Sequence, residues 1–236
     1  MRKLDNLTQS DTDMFGPGTD LIVSLVAVLM IMFAVQDIIN FKLVRQNQEK
    51  LVNEIADVFE TDPIKIDEDT YEIATEPEKQ SKIIIKNDAT LQRISFGSDI
   101  LFESGEALLQ DIGKGILKKF SRVFISKKKL KIIKEIQIQG HADTVPVKED
   151  REWGNLRLAA DRAIEVYKEL KRLNIHPYEY VMSATSFGEY MPIERKYEDS
   201  NYSMAKMTYH NNSEEKKKIN RRIEIVLIYR KEITVK

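Results

Sequence analysis

The sequence predicts a single N-terminal transmembrane helix followed by an α+β domain, in which a β-α-β-α-β order builds a mixed sheet with helices on one face. Three observations predict it. An apolar run from Leu21 to Val35, interrupted only by Ser24, continues weakly through Ile38 and Ile39. Outside that run the 236-residue chain is strongly charged. From Ser81 onward, stretches with period-two apolar residues alternate with stretches of helical spacing, the pattern of helices packed on a sheet.

The span comes first. Thr19 to Ile39 is about long enough to cross a bilayer as a helix, which takes roughly 20 residues. The stretch before it carries Asp5, Asp11 and Asp13 against Arg2 and Lys3, and no small-x-small cleavage site follows. Both features favour an uncleaved anchor over a signal peptide. Lys42, Arg45 and Lys50 beyond the span weakly favour a cytoplasmic C-terminal side by the positive-inside count. Asp20 stands at the head of the run. A lone carboxyl there is costly unless it is neutralised, paired or in use, which makes Asp20 a functional candidate. The competing role is an interfacial N-cap, which Thr19 would fill equally well.

The expected divisions are a tail over 1–17, the span over 18–39, a juxtamembrane helix over 40–60, a linker over 61–80 and the domain over 81–236. Val44, Gln48, Leu51, Ile55 and Val58 form a seam in steps of four and three. That seam is too short to pair unaided in water, so the helix is read as a dimeriser or a plug. Asp62 to Gln80 is acidic and broken by Pro63 and Pro77, hence a linker, partly extended. Lys82–Lys86 and Leu91–Phe96 read as strands about the turn-prone Asn87-Asp88. Gly105 to Phe124 has helical spacing behind Ser104, weakened by Gly113 and Gly115. Lys131–Gln139, Tyr180–Ser186 and Arg222–Tyr229 read as strands, and Asn155–Leu173 as a helix. The charged insert from Glu194 to Ile219 has little pattern and reads as a solvated loop.

Composition excludes several functions. Lys and Arg total 37 against 38 Asp and Glu, which gives no electrostatic case for nucleic acid. There is no cysteine for a disulfide or thiolate site, and His141, His176 and His210 are scattered. No nucleophile elbow, His-Glu-x-x-His or phosphate loop is present, so neither an enzyme nor a cofactor is expected.

Gly140-His141-Ala142-Asp143 closes a strand, Asn155-Leu156-Arg157-Leu158-Ala159-Ala160-Asp161-Arg162-Ala163 opens a helix, and Asn220-Arg221-Arg222-Ile223-Glu224 opens the last strand. These resemble the G-H-T-D, N-x-x-L-S-x-x-R-A and N-R-R-h-E signatures of the OmpA-like peptidoglycan-binding domain. Ala142 and Ala159 depart from it, each lacking a hydroxyl. Asn155, Leu158 and Arg162 share one helical face, and Asp143 lies at a strand end. An Arg and an Asp presented together suit a ligand with a carboxylate and an ammonium on one carbon. The resemblance identifies that ligand as a diaminopimelate-type peptidoglycan stem. It implies binding through Asp143, Asn155, Leu158, Arg162, Arg221 and Arg222. The alternative for Asp143 and Arg162 is an ion pair stapling helix to strand, and His141 reads as structural.

An Asp-headed span, a short helix, a linker and an OmpA-like domain together resemble the MotB-type B subunit of ion-driven stator units. In that family the membrane Asp follows an aromatic-Ala pair, whereas Gly18-Thr19 precede Asp20 here. The resemblance implies an ion-carrying Asp20, with the proton as the expected ion, a polytopic A-type (MotA/ZorA-like) partner and a homodimer. It places the N-terminus in the cytoplasm and the domain outside the bacterial inner membrane, overruling the charge count. The machine would be flagellar or a Zorya-type antiphage system (MotB/ZorB-like). The second reading is a static envelope anchor without ion transport.

Overall fold

The computed structural model describes residues 17–75, 81–124, 132–147, 154–196 and 198–230. The chain forms two compact units, Met1–Lys42 and Leu43–Lys236. Helix α1 runs Pro17–Val58, so its first part belongs to one unit and its last turns to the other.

In the first unit α1 opens on Pro17, which loses nothing by lacking an N–H in a first helical turn. Asp20 lies in that first turn, where a carboxylate faces the positive end of the helix dipole. The apolar side chains point outward on every side: Leu21 is 71% exposed, Phe33 70% and Ile38 67%. Among the described residues this is the one helix long and apolar enough to cross a membrane. Near its polar end Gln36 Nε2 donates to Asn40 Oδ1 at 3.2 Å, one turn on.

The second unit is built on a seven-stranded sheet in the order β1-β2-β3-β4-β7-β5-β6. The strands are β1 (Ile64–Lys65), β2 (Thr70–Ala74), β3 (Lys82–Asn87), β4 (Leu91–Gly97), β5 (Ile133–His141), β6 (Val181–Gly188) and β7 (Arg222–Tyr229). All neighbours run antiparallel except β5 and β6, whose parallel pairing requires a crossover. Helix α4 (Gly154–Arg172) supplies it. Alternation sets the register: Ile85 faces Ile94, Ile94 faces Ile225, and Ile225 faces Ile138 across four strands. All four residues are fully buried. A one-residue slip would turn this whole set to the other face. Onto it pack Leu51 and Ile55 of α1, Leu117 and Phe120 of α3 (Asp111–Arg122), and Val166 and Leu170 of α4, in one core.

Three segments differ from expectation. Residues 61–80 were expected to be a linker, yet β1 and β2 lie within them and extend the sheet, with Ile73 opposite Ile83 and both buried. The juxtamembrane seam is not left open for a dimer or plug. Val44, Leu51 and Ile55 are buried in the unit's own core, and Val58 is partly buried against it. Gln48, which would weaken a coiled coil, is 1% exposed and useful there. Its Nε2 donates to the carbonyls of Asp88 (2.8 Å) and Leu91 (2.9 Å), and its own carbonyl accepts from Gln92 Nε2 at 3.0 Å. The helix expected from Gly105 starts only at Asp111, because Gly105 takes a left-handed φ of 77° and Phe102 bridges to Leu109. Before it, α2 (Ser98–Leu101) comes so close that a Cβ on Gly113 would lie 2.6 Å from the Leu101 carbonyl oxygen.

The insert is also folded rather than a solvated loop. It carries α5 (Met204–Tyr209) and α6 (Glu214–Asn220), with the hydroxyls of Ser203 and Ser213 accepting from the backbone of Lys206 and Lys216.

Candidate functional site

The site forms where β5 ends, α4 begins and α6 runs into β7. Gly140 lets these elements meet, since a Cβ there would stand 2.0 Å from the Ala159 carbonyl oxygen. The small residue at 159, where the family pattern has Ser, lies against that glycine. Beyond the strand, the Ala142 N–H donates to the Gly188 carbonyl at 2.8 Å. Asp143 follows, 4% exposed. Its Oδ1 accepts from the Val145 N–H at 2.9 Å, and its Oδ2 pairs with Arg221 Nη1. Asn155 Nδ2 donates to the Asp143 carbonyl at 3.1 Å, tying the start of α4 to this loop.

Arg162 is not salt-bridged to Asp143, which sets aside the direct staple. It is 4% exposed and held by the loop before α3: Nε donates to the Glu106 carbonyl at 2.8 Å and Nη2 to that of Glu103 at 3.4 Å. Its guanidinium carbon lies 5.3 Å from the centre of the Phe102 ring. Burial, reinforced by the Arg221 charge and opposed by Asp143, lowers the Arg162 pKa to about 10. It remains a cation at neutral pH. Asp143, Arg162 and Arg221 thus bring two guanidinium groups and a carboxylate into one electrostatic cluster, with the Glu106 carboxylate also acting on Arg162. Such a cluster fits an anion accompanied by a cation. Asn155 and Leu158 line the same face of α4, both partly exposed.

Arg222 is placed differently from its neighbour. It is 5% exposed and donates from Nε to Glu224 Oε1 at 2.6 Å, from Nη1 to the Asn220 carbonyl at 3.4 Å and from Nη2 to the Met191 carbonyl at 3.3 Å. Arg222 is thus paired with a buried acid and braces the start of β7. His141 joins that support: Nδ1 lies 3.2 Å from the Met191 carbonyl and the ring stacks on Phe187 at 5.2 Å. A carbonyl only accepts, so Nδ1 carries the proton. Burial, then the nearby Arg222, lowers the His141 pKa to about 3 and keeps the ring neutral. For Glu224, burial would raise the pKa, but the basic groups around it, Arg222 foremost and Arg93 among them, together outweigh burial and leave the carboxyl at about 2.

Asn220 secures the insert at its root. Its Oδ1 accepts from the Ile193 N–H at 2.9 Å, and its Nδ2 donates to the His210 carbonyl and to Asn211 Oδ1, both at 2.9 Å. Sequence reasoning quoted Asn220 within a motif without giving it this role. Phe102 and the carbonyls of Glu103, Glu106 and Met191 were missed as well, and a carbonyl leaves no mark in residue type. Among the described residues no group of three His, Cys, Asp or Glu is placed to hold a metal ion.

Residues 101–205 match the OmpA family model. That segment holds Asp143, Asn155, Leu158 and Arg162, and it ends before Arg221. Among solved structures, a putative MotB-like protein from Desulfovibrio vulgaris superposes with a TM-score of 0.57 at 21% identity, over 80% of this chain and 98% of that one. A periplasmic domain of MotB (its residues 64–256) gives 0.53 at 20% identity, over 72% and 80%. No curated protein matches the chain. The fold is thus the one found in MotB-like proteins, with an OmpA-family segment at its centre.

Proposed function

From an OmpA-family segment set in a MotB-like fold, we propose that this chain is the B subunit of an ion-driven inner-membrane stator that anchors to peptidoglycan. One observation carries the reading. A single chain joins an all-round apolar helix with Asp20 in its first turn to a domain bearing the Asp143–Arg162–Arg221 cluster.

The two parts divide the work. An apolar helix with a carboxyl at the head of its apolar run and no channel of its own needs a polytopic A-type partner to form an ion path beside Asp20. Protonated, the neutral side chain passes an apolar interface; ionised, it is drawn to polar contacts on the partner. Cycling between these states under an ion gradient, with the proton as the ion carried, turns protonation into relative movement of the subunits. The domain prevents the subunit from moving with its partner by gripping the wall. Its cluster takes the free end of a diaminopimelate-type stem, with the ligand carboxylate toward the arginines and the ammonium toward Asp143. Asn155 and Leu158 border the stem, while Arg222 holds the floor. The chain works as a homodimer, passing the membrane once with its N-terminus in the cytoplasm, in a flagellar or Zorya-type machine.

Asp20→Asn tests this reading, because it keeps size and helix compatibility but cannot exchange a proton. The complex with the A-type partner, purified from membranes, is expected to keep its stoichiometry while proton uptake into energised vesicles is lost. Proton uptake by the variant equal to wild type removes the motor reading, and a chain that purifies without a polytopic partner is a static anchor.

A further inference from the structure

The arginines of the site differ in how far they are committed. Arg162 and Arg222 are 4% and 5% exposed, and both are tied to backbone carbonyls. The Arg221 side chain is 37% exposed, and its hold is on Asp143. Its main chain is fixed: the N–H donates to the Lys217 carbonyl, closing α6, and the carbonyl accepts from the Ser98 N–H, both at 2.9 Å. A fixed backbone carrying a half-exposed guanidinium lets the side chain turn without disturbing the fold.

This arrangement has a consequence for the ligand. In the free protein, the oxygen of Asp143 that a ligand ammonium needs is already taken by Arg221, while the other accepts from Val145. We propose that Arg221 is the specificity-determining residue of the wall site, exchanging Asp143 for the ligand carboxylate as the ligand ammonium takes its place on Asp143. The inference rests on the wall-binding reading above. A ligand carrying both charges gives Arg221 a new partner when it removes the old one, so no ion is left unpaired. A ligand with the ammonium but an amidated carboxyl strands Arg221 beside the buried Arg162 cation. The site therefore selects stems whose terminal carboxylate is free. The role of the insert follows from the same geometry, because α6 delivers Arg221 to this position.

The test uses the full chain in detergent and two soluble stem tripeptides. Both end in diaminopimelate with a free far-end ammonium; in one the adjacent carboxylate is free, and in the other it is amidated. Calorimetry on the wild type is expected to show the free acid binding roughly tenfold or more tighter, the scale of one charge-assisted pair. In Arg221→Ala the free acid weakens and the amide tightens, so the preference falls to near unity. Arg221→Lys keeps part of it. If Arg221→Ala melts early, Arg221→Gln is read for the same ratio. A wild-type preference surviving in these neutral variants, with both peptides lost in Asp143→Asn, overturns the exchange and leaves wall binding intact. Binding of neither peptide by the wild type removes the wall-binding reading and this inference together.

Discussion

Residues 17–42 and residues 43–230 solve opposite problems with similar side chains. In the first unit Leu21 and Phe33 are about 70% exposed; in the second Ile94 and Phe96 are fully buried. A helix apolar on all sides has no inner face to hide, and only lipid or other apolar helices satisfy it. The domain needs no such surroundings, and it pairs many of its buried polar groups internally. Gln48, Gln92, Asn87 and Tyr229 are at most 3% exposed and are linked by hydrogen bonds of 2.7–3.0 Å. The difference teaches where function lies. In a self-sufficient domain the informative residues are charges with exposed reach, such as Arg221. In the apolar helix the informative residue is Asp20, a carboxyl at the head of the apolar run that the surroundings would not otherwise tolerate.

The largest effects should come from breaking the domain's interior. Phe96→Ala is expected to destabilise the domain by about 3–5 kcal/mol in denaturant unfolding, whereas Phe33→Ala should leave the domain transition in place. Glu224→Gln should cost a similar ~3–5 kcal/mol, because it leaves the buried Arg222 without its acid. The same network sets a pH dependence. Glu224 has a folded pKa of about 2, below its ordinary 4.5, so its contribution is complete above pH 4.5 and fades as pH falls toward 2. His141, at about 3 against 6.5, adds a loss that begins as pH falls below 6.5. Thermal melting should therefore decline from pH 6.5 downward, and less steeply below 4.5 in Glu224→Gln than in wild type.

In the span the matching test is placement rather than folding. Leu29→Lys puts a charge mid-helix at a cost of about 2.5–3.5 kcal/mol and should shift the chain from the membrane to the soluble fraction. The smallest effects separate two glycines two residues apart. Gly115 has open space about its Cα, so Gly115→Ala should stabilise α3 by roughly 0.5–1 kcal/mol. Gly113→Ala should destabilise it, because the new methyl meets the Leu101 carbonyl.

Much of this was legible in the sequence. The span and the five strands β3 to β7 follow from apolar period alone, since each has a face or a length that only one structure satisfies. The segment over 61–80 was not legible, because acids and two prolines mask two short strands whose stability comes from pairing with β3. The seam at Val44, Leu51 and Ile55 was legible as a seam, but period does not say whether its partner is another copy or the chain's own sheet. At the site, Asp143, Asn155 and Arg162 were marked by spacing and motif. The different placement of adjacent Arg221 and Arg222 was not, because Arg221 closes a helix while Arg222 opens β7, and only the fold shows where that boundary falls.

The claim that the domain grips the wall is met most directly by sedimentation of the full chain, in detergent, with isolated peptidoglycan. The wild type should pellet with the sacculi, and Asp143→Asn and Arg162→Ala should each move most of it to the supernatant while melting as folded proteins. Pelleting unchanged in both variants would contradict the account and leave the cluster a structural staple.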